Sequence, residues 1–137
     1  MKLVIDASVI LKIVLVENEE DQQIALAILK LFQDGKVDIV LPNFWFFEVG
    51  NTLIRKNVAF AKLYLYLLEI GFRQYNFNPS ELIEIGTFAK NFNISFYDAS
   101  YHILAKLLNY TFVTADEKYF GKTKKAGNII LLNNLRI

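Results

Sequence analysis

The chain contains no cysteine and only two prolines, six glycines and one histidine among its 137 residues. Without cysteine there are no disulfides, and few of the nitrogen and sulfur ligands that zinc prefers are left. Long apolar runs are also missing, because Lys12, Lys30, Lys62 and Glu69 interrupt the most apolar stretches. None approaches the roughly 20 apolar residues that cross a bilayer. An acid at position 6 breaks the core that a signal peptide would need, so we expect no membrane span and a cytoplasmic location.

Charge of one sign is not in excess either, since the formal net charge is +1. The chain as a whole therefore offers no electrostatic reason to bind nucleic acid, and any such surface must be local. The sequence is instead rich in apolar residues, with 54% hydrophobic and 15% aromatic residues. This composition predicts one folded domain over residues 1–137. It also exceeds what a small domain easily buries, so we expect an oligomer or an obligate partner.

Short apolar runs alternate with helical patterns along the chain. We predict strands at 2–5, 37–41, 111–114 and 128–132 and a short edge strand at 75–77, with helices over 7–16, 21–33, 44–56, 59–72, 79–91 and 97–109. This alternation favours an α/β fold in three α/β/α layers, with a central, mostly parallel sheet. Functional sites in such folds lie at the carboxyl ends of the strands.

Helix starts are marked by asparagine. Asn18 and Asn43 are predicted N-caps, and Asn78 is predicted to begin a capping box in which Pro79 is the first helical residue and Glu81 the reciprocal acid.

Four acids fall where this topology would gather them. Asp6 ends the first strand, Asp116 follows the fourth, Asp98 opens a helix, and Glu48 lies inside the helix after the second strand. Ionised carboxylates placed together repel one another unless a cation neutralises them or their pKa values rise. Oxygen ligands favour Mg²⁺ or Mn²⁺ over zinc, so the sequence predicts a site for one of these two ions.

The segments around these acids resemble the PIN domain family, and particularly its short VapC-type toxins, which pair with an antitoxin. The matching segments span nearly the whole chain and are Val4-Ile5-Asp6-Ala7-Ser8, Glu48-Val49-Gly50-Asn51, Tyr97-Asp98-Ala99-Ser100-Tyr101 and Val113-Thr114-Ala115-Asp116. The resemblance implies a metal-dependent endoribonuclease that leaves a 5′-phosphate and a 3′-hydroxyl. It further implies a homodimer, and an antitoxin whose tail covers the acidic cleft.

Carried over by position, the acidic cluster is Asp6, Glu48, Asp98 and Asp116, and its polar neighbours are Ser8, Asn51 and Thr114. We assign the three aspartates as direct or water-mediated metal ligands, and Glu48 as a ligand or a base that orients water. Some relatives carry one more acid after the last, and here only Glu117 could take that place.

Each acid also has a purely structural interpretation. Asp98 could cap a helix, Asp116 could belong to a turn, and Glu48 could face solvent. Asp6 is harder to explain in this way, because an acid that closes a buried strand is costly without a partner.

Basic residues crowd the loop predicted after position 116, where they either hold an RNA backbone or are simply solvated: Lys118, Lys122, Lys124 and Lys125. His102 lies one turn after Asp98, but a lone histidine on an apolar helix is more often packed or exposed than catalytic.

Two other functions compete with a nuclease. A phosphatase or phosphotransfer domain would use a strand-end aspartate, but Asp6-Ala7-Ser8 lacks a second aspartate two residues on. A non-catalytic PIN-fold binding module would keep the fold alone, and the presence of all four acids argues against it.

Overall fold

The computed structural model describes residues 1–15, 20–56 and 59–137. In chain order the elements are β1 Lys2–Ile5, α1 Ala7–Val14, α2 Glu20–Gln33, β2 Asp38–Pro42, α3 Trp45–Arg55, α4 Phe60–Glu69, β3 Arg73–Tyr75, α5 Pro79–Phe92, α6 Phe96–Leu108, β4 Thr111–Thr114, α7 Glu117–Thr123 and β5 Ile129–Leu131, with 3₁₀ turns at Lys124–Ala126 and Leu132–Asn134. No helix within these ranges has the length and apolar character to traverse a membrane.

The sheet has five strands in the order β3-β2-β1-β4-β5, and every neighbouring pair is parallel. Crossovers between parallel strands are right-handed, so the reversal of strand order after β3 places α1 to α4 on one face and α5 to α7 on the other. The packing of α1 on α2 and α3, and of α5 on α6, agrees with this division. The predicted three-layer α/β/α fold is therefore confirmed. The strand order reverses between β1 and β4, where parallel sheets of this kind open a crevice at their carboxyl edge.

The central strands are apolar because both faces of the sheet are covered. Leu3, Val4 and Ile5 of β1 are almost completely buried, as are Phe112 and Val113 of β4. Strands buried on two sides show continuous apolar runs in place of alternation. This burial fixes β1 and β4 side by side and so fixes the residues that follow each of them.

The predicted capping box is confirmed. The Asn78 side chain accepts from the Glu81 backbone N–H at 2.9 Å, and the Glu81 carboxylate accepts from the Asn78 N–H at 2.9 Å. The prediction for Asn43 is wrong, because α3 begins one residue later, with Phe44 as an N-cap that makes no side-chain bond. The Asn43 amide instead donates to the Asn76 side chain at 2.8 Å. The predicted N-cap Asn18 lies outside the described residues.

Two further segments differ from the prediction. Helix α4 ends at Glu69, because Gly71 adopts a positive φ of 76° and turns the chain into β3. The edge strand therefore lies at Arg73–Tyr75, two residues earlier than predicted. The expected loop after Asp116 is a helix, α7, because the Asp116 side chain accepts from the Tyr119 N–H at 2.9 Å and caps its first turn.

Candidate active site

The four predicted acids lie at the beginnings of four different helices. Asp6 is the N-cap of α1 and Asp116 that of α7, while Glu48 and Asp98 lie in the first turns of α3 and α6. The N-terminal end of a helix carries partial positive charge, which stabilises a nearby carboxylate. Because α1 and α7 follow the neighbouring strands β1 and β4, Asp6 and Asp116 lie at the crevice where the strand order reverses.

Asp6 is buried, with 8% of its surface exposed, and both of its oxygens have partners. Oδ1 accepts from the Ser8 hydroxyl and from the Val9 N–H, and Oδ2 accepts from the Thr114 hydroxyl at 2.5 Å. Burial raises the pKa of Asp6 to about 6, against the lowering effect of these hydrogen bonds, and repulsion from Asp98 adds to the rise. Three hydrogen bonds thus orient the Asp6 carboxylate, while its burial disfavours the charged form.

Ser8 and Thr114 also connect Asp6 to the loop that carries Asp116. The Ser8 hydroxyl accepts from the Ala115 N–H at 3.0 Å, and the Thr114 hydroxyl accepts from the Asp116 N–H at 3.0 Å. Each hydroxyl donates to Asp6 and accepts from this loop, so its orientation is fixed. Two of the three predicted polar neighbours, Ser8 and Thr114, therefore set the position of Asp116 relative to Asp6.

Glu48 is half-buried and accepts a hydrogen bond of 3.1 Å from the Tyr101 hydroxyl. Burial raises the pKa of Glu48 to about 7; the Tyr101 bond opposes the rise, while the charges of Asp98 and Asp6 reinforce it. Burial likewise raises the pKa of Asp98, with a contribution from the charge of Asp116. These charge effects connect Asp6, Glu48 and Asp98 with one another, and connect Asp116 with Asp98.

The cluster is electrostatically suited to a cation, although its side chains do not form a closed ligand set. Over the described parts of the chain, no three histidine, cysteine, aspartate or glutamate side chains are grouped closely enough to hold a metal ion. The donors themselves are carboxylate oxygens, the ligands of hard divalent ions. The arrangement thus provides negative charge at a fixed crevice, which an added cation would neutralise.

Two pockets flank Asp116. One, the α1–α3 pocket, has a volume of about 380 Å³ and lies between α1 and α3 on the side of Ser8. The other, the α6–α7 pocket, has a volume of about 230 Å³ and is lined by Asp98, Asp116, Lys118 and Lys122 among others. The acidic crevice is therefore open on both sides.

The predicted basic residues divide between two environments. Lys118 and Lys122 line the α6–α7 pocket, where the Lys122 ammonium also donates to the Asn93 carbonyl at 3.0 Å. Lys124 and Lys125 lie beyond it in the 3₁₀ turn, and the Lys125 ammonium lies 5.6 Å from the centre of the Phe92 ring. Only the first two lysines border the crevice.

The side chains of the remaining candidates make no hydrogen bond to the four acids within the described residues. Asn51 is exposed one turn beyond Glu48 and makes no hydrogen bond to the acids within the described structure, and Glu117 is exposed in the first turn of α7. His102 is fully buried, with Nε2 2.7 Å from the Gly127 carbonyl and Nδ1 3.0 Å from the Tyr119 hydroxyl. Because a carbonyl only accepts, Nε2 carries the proton and Nδ1 accepts from Tyr119. His102 is a packing residue that ties α6 to α7.

Sequence reasoning overlooked several residues that border the site. Tyr101 lies three residues after Asp98 on the same helix, a spacing that places both on one face. Lys12 and Lys56 line the α1–α3 pocket, and no motif marks them. The first could have been found from helical spacing, whereas the two lysines require the packing of α1 against α3.

Comparisons with known proteins bear on the family and on the fold. The PIN domain family matches residues 3–126. Among solved structures, PAE2754 from Pyrobaculum aerophilum superimposes with a TM-score of 0.68 at 23% identity, over 97% of this chain and 93% of that chain. VapC20 of Mycobacterium tuberculosis, a sarcin-ricin loop cleaving toxin, gives a TM-score of 0.66 at 12% identity, over 87% and 93%. FitAcB from Neisseria gonorrhoeae gives 0.64 at 17% identity, over 97% and 99%.

No curated protein matches the chain in sequence. At these identities the solved structures establish the shared fold alone, and the family assignment rests on the family match and on the motifs around the four acids. The match covers nearly the whole chain and all four of those motifs. The resemblance inferred from the sequence is thereby confirmed, and the chain belongs to the PIN domain family.

Proposed function

We propose that the protein is a metal-dependent endoribonuclease and the toxin of a toxin–antitoxin pair. The observation that carries this proposal is the electrostatic coupling of four carboxylates, contributed by four separate helices, at the crevice where the strand order reverses. VapC20, which shares the fold, is a sarcin-ricin loop cleaving toxin. That likeness supports RNA as the substrate class.

The cation in this proposal is Mg²⁺ or Mn²⁺. Asp6, Asp98 and Asp116 would hold it, directly or through water, with Glu48 as a further ligand or as the base. When bound, such an ion polarises the scissile phosphate and acidifies a bound water. The donor chemistry fits, because these carboxylates are hard oxygen ligands, and the raised pKa values of Asp6 and Glu48 indicate that their negative charge lacks a counter-charge.

The chain's own residues position the reactants. Ser8 and Thr114 hold the Asp6 carboxylate in one orientation, and Tyr101 holds one oxygen of Glu48. During hydrolysis the water oxygen bonds to phosphorus, and the bond from phosphorus to the 3′ oxygen breaks. A carboxylate of the cluster takes the proton from water, and the 3′ oxygen is protonated from solvent. The products are a 5′-phosphate and a 3′-hydroxyl.

The partners in this proposal are a second copy of the chain and an antitoxin, in the cytoplasm. Large apolar side chains remain exposed on the adjoining helices α3 and α4, including Phe47 at 68%, Ile54 at 66% and Leu65 at 57%. Exposed apolar side chains of this kind support an interface that covers them. A monomer in light scattering, with unchanged mass when a candidate antitoxin is added, would contradict this part of the proposal.

The nuclease is tested with purified protein and a panel of single-stranded and structured RNAs, with Mg²⁺, with Mn²⁺ and with EDTA. We expect cleavage that depends on the metal and that Asp6→Asn abolishes, because the neutral amide removes a charge from the cluster. Asp34→Asn is the matched control, since it makes the same chemical change at an exposed residue in the turn between α2 and β2, at the amino edge of the sheet. Cleavage retained by Asp6→Asn, or absent under every condition, would overturn the proposal.

A further inference from the structure

The α1–α3 pocket is a cavity beside the acidic cluster to which the proposed chemistry assigns no ligand. It has a volume of about 380 Å³ and is lined, beside Asp116, by Ser8, Leu11, Lys12, Leu15, Thr52 and Lys56. Pockets that hold small ligands usually have volumes of roughly 300–1,000 Å³. It adjoins the cluster, because Asp116 lines both this pocket and the α6–α7 pocket, and Ser8, which also lines it, donates to Asp6.

The lining combines two kinds of surface. Leu11 and Leu15 are half-buried leucines one helical turn apart, and they provide an apolar wall. Lys56, exposed at the end of α3, and Lys12 on α1 provide positive charge. An apolar wall beside ammonium groups suits a nucleotide, whose base is flat and largely apolar on its faces and whose phosphate is anionic.

The position of the pocket favours an RNA strand over a separate ligand. Lysines line the crevice on both sides of Asp116, Lys12 and Lys56 in one pocket and Lys118 and Lys122 in the other. A polyanion crossing the acids would meet positive charge before and after them. The net charge of +1 hides this arrangement, because the charge is local.

We infer that the α1–α3 pocket binds the nucleotide on one side of the scissile phosphate, with its base against Leu11 and Leu15 and its phosphate beside Lys56 and Lys12. This inference rests on the proposed function and deepens it, since it specifies an unpaired nucleotide at that place in the substrate. A base that is paired in a duplex cannot leave its stack to enter the pocket without loss of pairing energy.

The test combines a protein substitution with substrate truncation. An RNA oligonucleotide that the wild-type protein cleaves is shortened one nucleotide at a time from each end towards the cut bond. Lys56→Gln is compared with the wild type and with Lys36→Gln, which makes the same charge change at the opposite edge of the sheet. Both lysines are exposed and lie outside the helices, so folding should be unaffected.

We expect Lys56→Gln to raise KM for the full oligonucleotide roughly tenfold with little change in kcat. The difference from wild type should vanish once truncation from one end removes the nucleotide that occupies the pocket. In the Asp6→Asn background, which permits binding without cleavage, Lys56→Gln should also lower the slope of log affinity against log salt by about 0.7.

Equal KM values for Lys56→Gln, Lys36→Gln and the wild type would overturn the inference. A Lys56→Gln loss that persists at every oligonucleotide length would also overturn it, because the charge would then act at a distance. An effect of Lys56→Gln on antitoxin binding but not on RNA would assign the pocket to a protein instead. In each of these outcomes the wild type still cleaves RNA; failure of the wild type to cleave any RNA would refute the proposed function itself.

Discussion

Replacing Asp6 by asparagine should make the metal-free protein less sensitive to alkaline pH. Its pKa is about 6 in the folded protein against an ordinary value of 3.8. Because the pKa of Asp6 is higher in the folded protein than in the unfolded chain, ionisation of Asp6 destabilises the folded protein. This destabilisation is absent below pH 3.8 and reaches its full size once the pH has risen above 6. The 2.2-unit difference corresponds to about 3 kcal/mol at pH 8, and about half of it has developed by pH 5. Asparagine has nearly the same shape and carries no charge, so it removes this penalty.

The free energy of unfolding is measured by urea denaturation in EDTA at pH 5 and pH 8. We expect the wild-type protein to lose stability over this range, and Asp6→Asn to lose about 1.5 kcal/mol less. Asp34→Asn is the control: Lys30 lowers the pKa of Asp34, so this acid is ionised in both the folded and unfolded chains throughout the range. Identical losses for Asp6→Asn and the wild type would refute the argument that Asp6 is buried without a counter-charge.

Three further outcomes follow from the same geometry. Saturating Mn²⁺ at pH 8 should raise the unfolding midpoint of the wild-type protein more than that of Asp6→Asn. This increase should be smaller at pH 5, where protons compete with the ion for the carboxylates. Equal increases for the two proteins would mean that the ion binds elsewhere. Tyr119→Phe leaves Nδ1 of the buried His102 without its donor, and should cost about 1–3 kcal/mol in denaturant unfolding, so an unchanged midpoint would contradict that hydrogen bond. Asn78→Ala should cost about 1 kcal/mol by removing the cap of α5, whereas Ser80→Ala, which leaves the cap's backbone bond intact, should cost less.

The elements that are readable from the sequence are those whose cause is local. Strand β4 was predicted at its observed bounds because its residues form one apolar run between turn signals, and the start of α5 follows from Asn78, Pro79 and Glu81 alone. The predicted start of α3 is one residue early, because Phe44 and not Asn43 is its N-cap and the helix begins at the buried Trp45. Local pattern cannot supply such tertiary contacts.

The same division applies to the site. The strand-end position of Asp6, the position of Asp98 at a helix start and the placement of Glu48 inside α3 could be inferred from periodicity and topology. The bond from Tyr101 to Glu48 joins residues 53 apart, and the α1–α3 pocket exists only because two helices pack together. Contacts between residues that are far apart in the chain could not be predicted, because no local pattern in a single sequence indicates them.

The hydrogen bond from Thr114 to Asp6 spans 108 residues, so the order of synthesis separates the two halves of the site. Strand β1 is synthesised well before its neighbour β4 and the loop with Asp116, because helices α2 to α6 and strands β2 and β3 lie between α1 and β4 in the chain. Strand pairs so distant in sequence form late in folding. A nascent chain in which β4 has not yet been synthesised therefore holds Asp6 with Ser8 and Val9 but without Thr114. For a protein proposed to cut RNA, this connectivity delays assembly of the site until β4 and Asp116 have joined β1.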